Sequence, residues 1–248
     1  MVAAGAWGAG TLTRSGAVAA WTVGLLVLLG SGWEGGAILA AFFVSSSLIS
    51  RVTPSIPGVD PKGNCRDHRQ VYANGGVAAV CALVGFHDQA LALWLVTGSL
   101  AAAAADTWAT SVGEWSRVPP RLLWGGRQVA PGTSGGITLV GCVGALAGAA
   151  LVSGTGTLVS RLTLLLPVAT LIGFLGMLAD SALGGGFQGR FHCPTCDQPS
   201  EWRRHRCGTA TVWREGVPWL DNDLVNLLAT ALAAGFAGGA WVWLHPSL

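Results

Sequence analysis

Four aspartates border apolar segments of this chain, and their residue type suggests a metal site. Asp106 ends an apolar run in "AAAAADTWATSVG", Asp180 does so in "GMLADSALGGG", and Asp221 and Asp223 open a third run in "WLDNDLVN". An ionisable side chain at membrane depth is a functional-site hypothesis by default. Mg²⁺ prefers oxygen ligands and usually binds one or two carboxylates together with substrate phosphates. We therefore expect Mg²⁺ to be held by members of the set Asp106, Asp180, Asp221 and Asp223.

Three of these carboxylates also have an ordinary explanation. Aspartate is a favoured N-cap residue, so Asp221 could simply cap the helix that follows it. Asp106 and Asp180 end or interrupt their apolar segments, where a negative charge opposes the helix dipole. Their placement therefore requires a compensating cation, which is either a metal ion or an arginine from a nearby loop.

The glycine-rich segment "APGTSGGIT", residues 130–138, has the composition of an anion-binding turn. A glycine-rich turn before a helix lets backbone N–H groups approach a phosphate. It is not a P-loop, because no Gly-Lys-Ser/Thr follows. Its candidate phosphate-binding residues are Gly132, Thr133, Ser134, Gly135 and Gly136. An ordinary turn has the same composition, and the phosphate interpretation is favoured by the nearby Arg127, since guanidinium groups match phosphate oxygens.

A third group of candidate ligands lies in "HCPTCDQPSEWRRHRCG", residues 192–208. Cys193 and Cys196 have the spacing of a zinc knuckle, and His205 and Cys207 could complete a tetrahedral site, with His192 as an alternative ligand. Four protein ligands leave no position for water, so such a site would be structural. Because the second pair lacks the usual spacing, a reduced cysteine cluster without metal is the alternative.

The composition identifies the class of protein. The 248 residues are 51% hydrophobic and 10% charged, whereas a soluble domain is usually about 25% charged. We therefore expect one integral membrane domain over residues 1–248. The net charge of +2 suggests no nucleic-acid partner. Five of the six cysteines are crowded into one loop or placed in apolar runs, which does not resemble a secreted disulfide scaffold.

Apolar segments long enough to approach a membrane crossing of about 20 residues predict an all-α polytopic bundle of about seven spans, with six as the alternative. They lie near 14–31, 35–51, 71–87, 89–110, 135–153, 161–183 and 222–244. If the seven segments cross in turn, 13 of the 14 Lys and Arg residues lie in loops or at segment ends on one face of the membrane. Arg161 is the exception. The positive-inside rule then predicts a cytoplasmic amino terminus and an outside carboxyl terminus.

This topology predicts that the polar candidates meet at the cytoplasmic face. The aspartates of three segments converge there, together with the amide side chains Gln70 and Asn74, which open a fourth segment, and Asn222 and Asn226, which stand beside Asp221 and Asp223. The segment 184–221 becomes a cytoplasmic loop that contains the Cys and His residues. The expected location is a bacterial inner membrane with the active site on its cytoplasmic face.

Several motifs occur in the order found in one membrane-protein family. They are "LTRSGAVAA", "FFVSSSLIS", "RQVYANGG", "AADTWATSVG", "PGTSGGIT", "GFLGMLADSALGGGFQG", "HRCG" and "WLDNDLVN". On these motifs the chain resembles the integral-membrane family of domain of unknown function 92, which includes animal transmembrane protein 19 and the phytyl-phosphate kinases. The resemblance runs from about Leu12 to Asn226.

The resemblance implies a Mg²⁺-dependent phosphotransferase with a phosphate group as acceptor. A nucleoside triphosphate, CTP or ATP, would phosphorylate a prenyl monophosphate such as phytyl, farnesyl or geranylgeranyl phosphate to the diphosphate. Asp106, Asp180 and Asp223 would be the catalytic carboxylates. The phosphate-binding candidates, in chain order, are Lys62, Arg69, Gln70, Asn74, Arg127, Gly132, Thr133, Ser134, Gly135, Gly136, Ser181, Gln188, Asn222 and Asn226. Membrane lipids are the other expected partners, and a homo-oligomer is compatible with the sequence.

Two positions depart from the family pattern. The family usually has glutamate where this chain has Ser111, and asparagine where it has Ser134. Glu114 could take the place of the missing glutamate if the helix continues past Gly113. Ser111 in place of glutamate favours one alternative function, a lipid-phosphate carrier or flippase without nucleotide chemistry. A CTP-dependent cytidylyltransferase is a further alternative.

Overall fold

The computed structural model describes residues 5, 7–53 and 65–246. Lys62 and the rest of the segment 54–64 lie outside the described residues. The helices of the described part are α1 Arg14–Val52, α2 His68–Ala82, α3 Gln89–Gly113, α4 Leu139–Ser160, α5 Leu165–Gly186 and α6 Asn222–Leu244. The strands are β1 Arg121–Leu122, β2 Gly136–Ile137, β3 Arg190–Cys193, β4 Gln198–Ser200 and β5 Val212–Glu215. The bundle is helical, as predicted, whereas the short strands in its loops were not predicted.

Helix α1 is a helical hairpin rather than one long rod. Ser31 and Gly32 leave the helical conformation, and Gly32 has a φ of +66°, which glycine adopts without strain. The Arg51 guanidinium donates a hydrogen bond to the Ala9 carbonyl at 2.9 Å. A straight helix of 39 residues would be about 58 Å long, so this contact requires the two halves to fold back on each other. The halves correspond to the predicted spans 14–31 and 35–51.

The number of helical segments is close to the sequence prediction. Five helices, α1 and α3 to α6, are long and apolar enough to cross a membrane. Since α1 has two antiparallel halves, it supplies two segments. Helix α2 is shorter, but it continues into the 3₁₀ turn Leu83–Phe86. The described residues thus form seven segments of a polytopic bundle.

Helix α3 is the centre of the bundle and contacts the five other helices. The alanine run 101–105 is buried throughout, because small side chains let neighbouring membrane helices approach closely. A Cβ added at Gly173 of α5 would lie 2.9 Å from the backbone of Ala101. The alanines therefore serve close packing, and they bring the polar residues of α3 near those of other helices.

Several predicted boundaries were wrong, and two of them change the setting of the aspartates. Helix α3 continues to Gly113 and α5 to Gly186, so Asp106 and Asp180 lie well inside their helices rather than at the ends. The unfavourable interaction of a negative charge with the helix dipole is confined to the last turn of a helix. It therefore does not affect Asp106 or Asp180. Segment five was also misplaced, because α4 begins only at Leu139 and ends where Arg161 takes a left-handed conformation.

We expect Gly30→Ala to destabilise the bundle, because a Cβ there would lie 2.3 Å from the carbonyl oxygen of Ala82. Only a movement of α1 away from α2 relieves this overlap, and overpacking usually costs about 1–3 kcal/mol. Gly24→Ala is the matched control, since a Cβ at Gly24 meets no atom within 4 Å. Thermal unfolding in detergent measures the difference. Equal melting temperatures for the two variants would contradict the close approach of α1 and α2.

Candidate functional site

Four helices place polar side chains in a single narrow crevice. Asn74 of α2, Asp106 of α3, Asp180 of α5 and Asn226 of α6 line it together with Thr230 and small apolar residues. The crevice is too narrow to admit a water-sized sphere. The four residues are far apart in sequence, and all were predicted site residues. The structure therefore brings together the two helix-embedded aspartates and two of the predicted amides.

The crevice has the donor chemistry of a site for a hard cation. Carboxylate and amide oxygens are the ligands that Mg²⁺ prefers. The Asn74 side-chain N–H donates to the Gln70 carbonyl at 2.9 Å, and this hydrogen bond orients the amide. Within the described part of the chain, the buried Oδ1 of Asn226 has no hydrogen-bond partner. A buried acceptor left unsatisfied is costly, so the residues present fit a cation.

A wider cleft of about 320 Å³ lies next to the crevice, nearer the helix ends. Its lining residues are Cys65, Asp67, Arg69, Gln70, Glu201, Trp202, Asp221, Asn222 and Asp223. Gln70 precedes the crevice residue Asn74 by four positions, and Asp223 precedes Asn226 by three. Residues so spaced share a helix face, about one turn apart along the axis. The cleft therefore stands over the crevice along both α2 and α6.

Arg69 provides the positive charge of the cleft. Its guanidinium contacts Asp221 at 2.5 Å and Asp223 at 3.5 Å. Asp221 also accepts the backbone N–H of Leu224 at 3.1 Å, so it is the N-cap of α6. Asp221 was expected either to bind a metal ion or to cap the following helix, and the structure shows the cap. Its carboxylate is engaged twice, outside the crevice of Asp106 and Asp180.

Gln70, a predicted phosphate ligand, has a structural role in the same cleft. Its side-chain carbonyl accepts the backbone N–H of Asp67, and the Asp67 carboxylate accepts the backbone N–H of Gln70. This reciprocal pair is a capping box, which satisfies two N–H groups at the start of α2. The capping box holds the start of α2, and with it Arg69, at the edge of the cleft.

The glycine-rich segment docks on the end of α5 that carries Asp180. Gly135 has a φ of +79°. A Cβ added to it would lie 2.3 Å from the backbone nitrogen of Gly185 and 2.6 Å from the carbonyl oxygen of Ser181. Only glycine fits this position, because it combines a left-handed conformation with direct backbone contact. The segment is therefore a wall packed beside Asp180.

The internal hydrogen bonds of that segment differ from those of an open anion nest. The N–H of Thr133 donates to Ala130 and the N–H of Gly136 donates to Thr133. Thr138 caps α4 with its own hydroxyl, which accepts from Gly141. The segment leads into the N-terminus of α4 as expected, and its last three residues form β2 and the N-cap Thr138.

Ser134 joins the glycine segment to two other parts of the chain. Its hydroxyl donates to the Glu201 carboxylate at 2.5 Å and accepts from the Gln188 side chain at 3.3 Å. Ser134 and Gln188 were predicted site residues, whereas Glu201 was not. A single loop glutamate carries no periodicity that would reveal its partner. The link connects the glycine segment to the cleft, which Glu201 also lines.

The position where the family usually has glutamate does not face the crevice. Ser111 is buried, and its hydroxyl lies 3.4 Å from that of Ser50 on α1. Glu114 caps the end of α3, eight residues beyond Asp106, which is about 12 Å along the helix axis. Burial raises the pKa of the Glu114 carboxyl and so favours its neutral form. Glu114 therefore does not share a metal site with Asp106.

The remaining predicted binding residues lie around this region. Ser181 is buried beside Asp180, and its hydroxyl approaches the Met177 sulfur at 3.8 Å. Asn222, the first residue of α6, lines the cleft. Arg127 is exposed in the β1–β2 connection and is not among the residues described as lining either depression.

The Cys and His residues of the loop form a compact cluster. The side-chain ligand atoms of Cys193, Cys196, His205 and Cys207 all lie within 4.8 Å of one another. His192, the alternative ligand, instead contacts Asp197 at 2.9 Å. Hydrogen bonds with Thr209 and His205 lower the pKa of the Cys207 thiol to about 5.

Comparison with known proteins gives relatives over almost the whole chain. The chain is 28% identical to Protein PGR of Arabidopsis thaliana, covering 94% of this chain and 90% of the relative. It is 29% identical to an uncharacterized membrane protein of Methanocaldococcus jannaschii, covering 92% and 84%. It is 28% identical to an uncharacterized membrane protein of a Synechocystis strain, covering 92% and 82%. No solved structure matches significantly.

The family comparison agrees with the bundle and with the ordered polar motifs. Residues 1–234 match the family described as Integral membrane protein DUF92, a range that includes the crevice, the cleft and the Cys and His cluster. This chain belongs to the DUF92 family of integral membrane proteins.

Proposed function

We propose that this protein is a membrane-embedded prenyl-phosphate kinase that acts at the cytoplasmic face of a bacterial inner membrane. The observation that carries the proposal is the crevice, where Asp106 and Asp180 meet Asn74 and Asn226 directly below the Arg69 cleft. Acidic side chains inside a membrane bundle are costly and are kept for function. Here they lie where a lipid headgroup and a nucleotide could both be reached from the membrane surface.

The crevice residues have a defined role in this proposal. Asp106 and Asp180 would hold Mg²⁺, with the Asn226 carbonyl nearby as a further oxygen donor. The bound ion would supply neutralisation of the phosphate charges. The two carboxylates sit on the most buried helix and on its neighbour, so their positions are fixed by packing. Fixed ligands of this kind stabilise a charged transition state without reorganising during the reaction.

The cleft residues would bind and orient the phosphates. Arg69 presents its guanidinium between Asp221 and Asp223, which hold it at the cleft without burying it. The prenyl chain would lie between the spans, with its phosphate in the cleft. Phosphoryl transfer requires mainly positioning and charge neutralisation. No general base is needed, because a phosphate acceptor is already anionic at neutral pH.

One observation favours a second function, that of a lipid-phosphate carrier. Ser111 faces α1 and Glu114 lies far along the helix from Asp106, so neither supplies an acidic group to the crevice. A carrier would bind the lipid phosphate and move it across the bilayer without consuming nucleotide. A cytidylyltransferase, by contrast, would release pyrophosphate and leave a CMP-linked lipid.

Product analysis distinguishes these functions. The purified protein is incubated with CTP or ATP, Mg²⁺, and farnesyl, geranylgeranyl or phytyl phosphate, and the lipids are identified by mass spectrometry. We expect prenyl diphosphate together with nucleoside diphosphate, formed only when Mg²⁺ and lipid phosphate are both present. Lipid movement in vesicles without nucleotide consumption would contradict the kinase and support the carrier. A CMP-linked lipid would identify the cytidylyltransferase.

A further inference from the structure

We propose that Cys193, Cys196, His205 and Cys207 bind one structural Zn²⁺, which fixes the segment 197–204 against the cleft. The proposal concerns the loop between α5 and α6 and does not depend on the phosphotransfer chemistry. It rests on two turns, on the distances between their side chains and on a contact between this loop and the glycine segment.

The first turn presents two thiols on one side. Cys193 ends β3, and Cys196 follows after a tight turn closed by the N–H of Asp197, which donates to the Cys193 carbonyl at 2.9 Å. Asp197 has a φ of +54°, a left-handed conformation that lets the chain leave the turn into β4. The turn thus ends immediately after its second thiol.

The second turn repeats this design with a histidine and a thiol. The N–H of Gly208 donates to the His205 carbonyl at 2.9 Å, and Gly208 has a φ of +84°. Again the left-handed residue comes directly after the second candidate ligand, here Cys207. The hydroxyls of Thr195 and Thr209 lie 3.0 Å apart and join the two turns. Two turns that face each other in this way present four ligand atoms to one point.

The distances between those atoms suit a tetrahedral zinc ion. Zinc–sulfur bonds of about 2.3 Å place tetrahedral ligand atoms about 3.8 Å apart. The Cys193 and Cys207 sulfurs are 3.6 Å apart, and His205 Nδ1 lies 3.2 Å from the Cys207 sulfur. The four ligand atoms lie within 4.8 Å of one another. Three thiolates and one imidazole close the coordination sphere, so the ion would be structural rather than catalytic.

The position of the cluster explains what the ion would stabilise. Cys196 and His205 bracket the segment 197–204, whose Glu201 accepts the hydrogen bond of Ser134 at 2.5 Å. The three strands of this loop have the order β4-β3-β5 and are only three or four residues long, at the short end of the usual range. A zinc ion would join the start of the segment to its end. It would thereby hold Glu201 beside the glycine segment and over the cleft.

Metal analysis of the purified protein tests the proposal. We expect about one zinc per chain, retained on dialysis against a chelator by wild type and lost by Cys196→Ser and Cys207→Ser. Two controls should retain the zinc of wild type: His192→Ala, whose ring contacts Asp197, and Cys65→Ser, an exposed cysteine outside the cluster. Either of two results would overturn the proposal: wild-type protein that contains no zinc, or the same zinc content in all four cysteine and histidine variants.

A second measurement covers the case in which the cysteine variants fail to fold. Wild-type protein loaded with Co²⁺ in place of zinc should show the intense absorption of tetrahedral thiolate-bound cobalt. Removal of the metal should speed trypsin cleavage after the exposed Arg203, Arg204 and Arg206, because the backbone of the segment 197–204 is then no longer fixed. A disulfide within the cluster, found by mass spectrometry after alkylation in place of the metal, would equally overturn the proposal, as would unchanged cleavage after metal removal.

Discussion

Asp106→Asn and Asp180→Asn are each expected to reduce Mg²⁺-dependent formation of prenyl diphosphate by at least about 100-fold, as the loss of one fixed electrostatic contact does elsewhere. Asparagine keeps the size and one oxygen of the side chain, and it removes the negative charge. Both aspartates line the crevice with Asn74 and Asn226, so a cation bound there depends on their charge. The measurement is the rate of product formation at saturating lipid and nucleotide.

A binding measurement separates loss of the cation from misfolding. Mg²⁺ that binds the folded protein raises its melting temperature in proportion to the logarithm of concentration. We expect this rise in wild type and its loss in both variants, with the melting temperatures in Mg²⁺-free buffer little changed.

The matched control is the same aspartate-to-asparagine substitution at the opposite end of the bundle. Asp88 caps α3 there by accepting the N–H of Leu91 at 2.9 Å, and asparagine caps a helix as well as aspartate does. Asp88→Asn should therefore keep both the activity and the response to Mg²⁺. Normal activity in the Asp106 and Asp180 variants would remove the metal assignment.

The convergence at the crevice was predictable because membrane topology restricts a chain strongly. The arginine distribution assigns each segment end to one face, and the order of segments then determines that Asp106 and Asp180 lie near the same face. In a small bundle, few positions are available to polar side chains at the same membrane depth, so these side chains lie close together. A count of crossings was thus enough to bring together residues 74 positions apart.

The details that sequence did not reveal depend on contacts between distant segments. The apolar run 135–153 gave no sign that Gly136 pairs with β1 and that α4 starts only after Thr138. The direction in which Ser111 faces follows from α3 packing against α1, which helical periodicity alone does not determine in an alanine-rich helix. Glu201 acquires its role only when the loop folds back onto Ser134.

Gly135→Ala is expected to have the largest effect in the glycine segment. A Cβ in the left-handed conformation costs about 1–2 kcal/mol. Here it would also overlap the backbone of Gly185 and of Ser181, and overpacking adds about 1–3 kcal/mol. The overlap involves backbone atoms, so relief requires the segment to move away from α5. We expect a lower melting temperature in detergent and loss of most activity, because the wall beside Asp180 is displaced.

Gly125→Ala separates the two costs. Gly125 has a similar φ of +74°, but a Cβ there meets no atom within 4 Å. This variant should carry only the conformational cost and keep its activity, since Gly125 lies in the exposed β1–β2 connection. If Gly135→Ala melts no lower than Gly125→Ala and remains as active, the glycine segment is not docked on α5. If it melts lower but remains fully active, the segment stabilises the bundle without shaping the site, since displacement of the wall would then leave Asp180 in place.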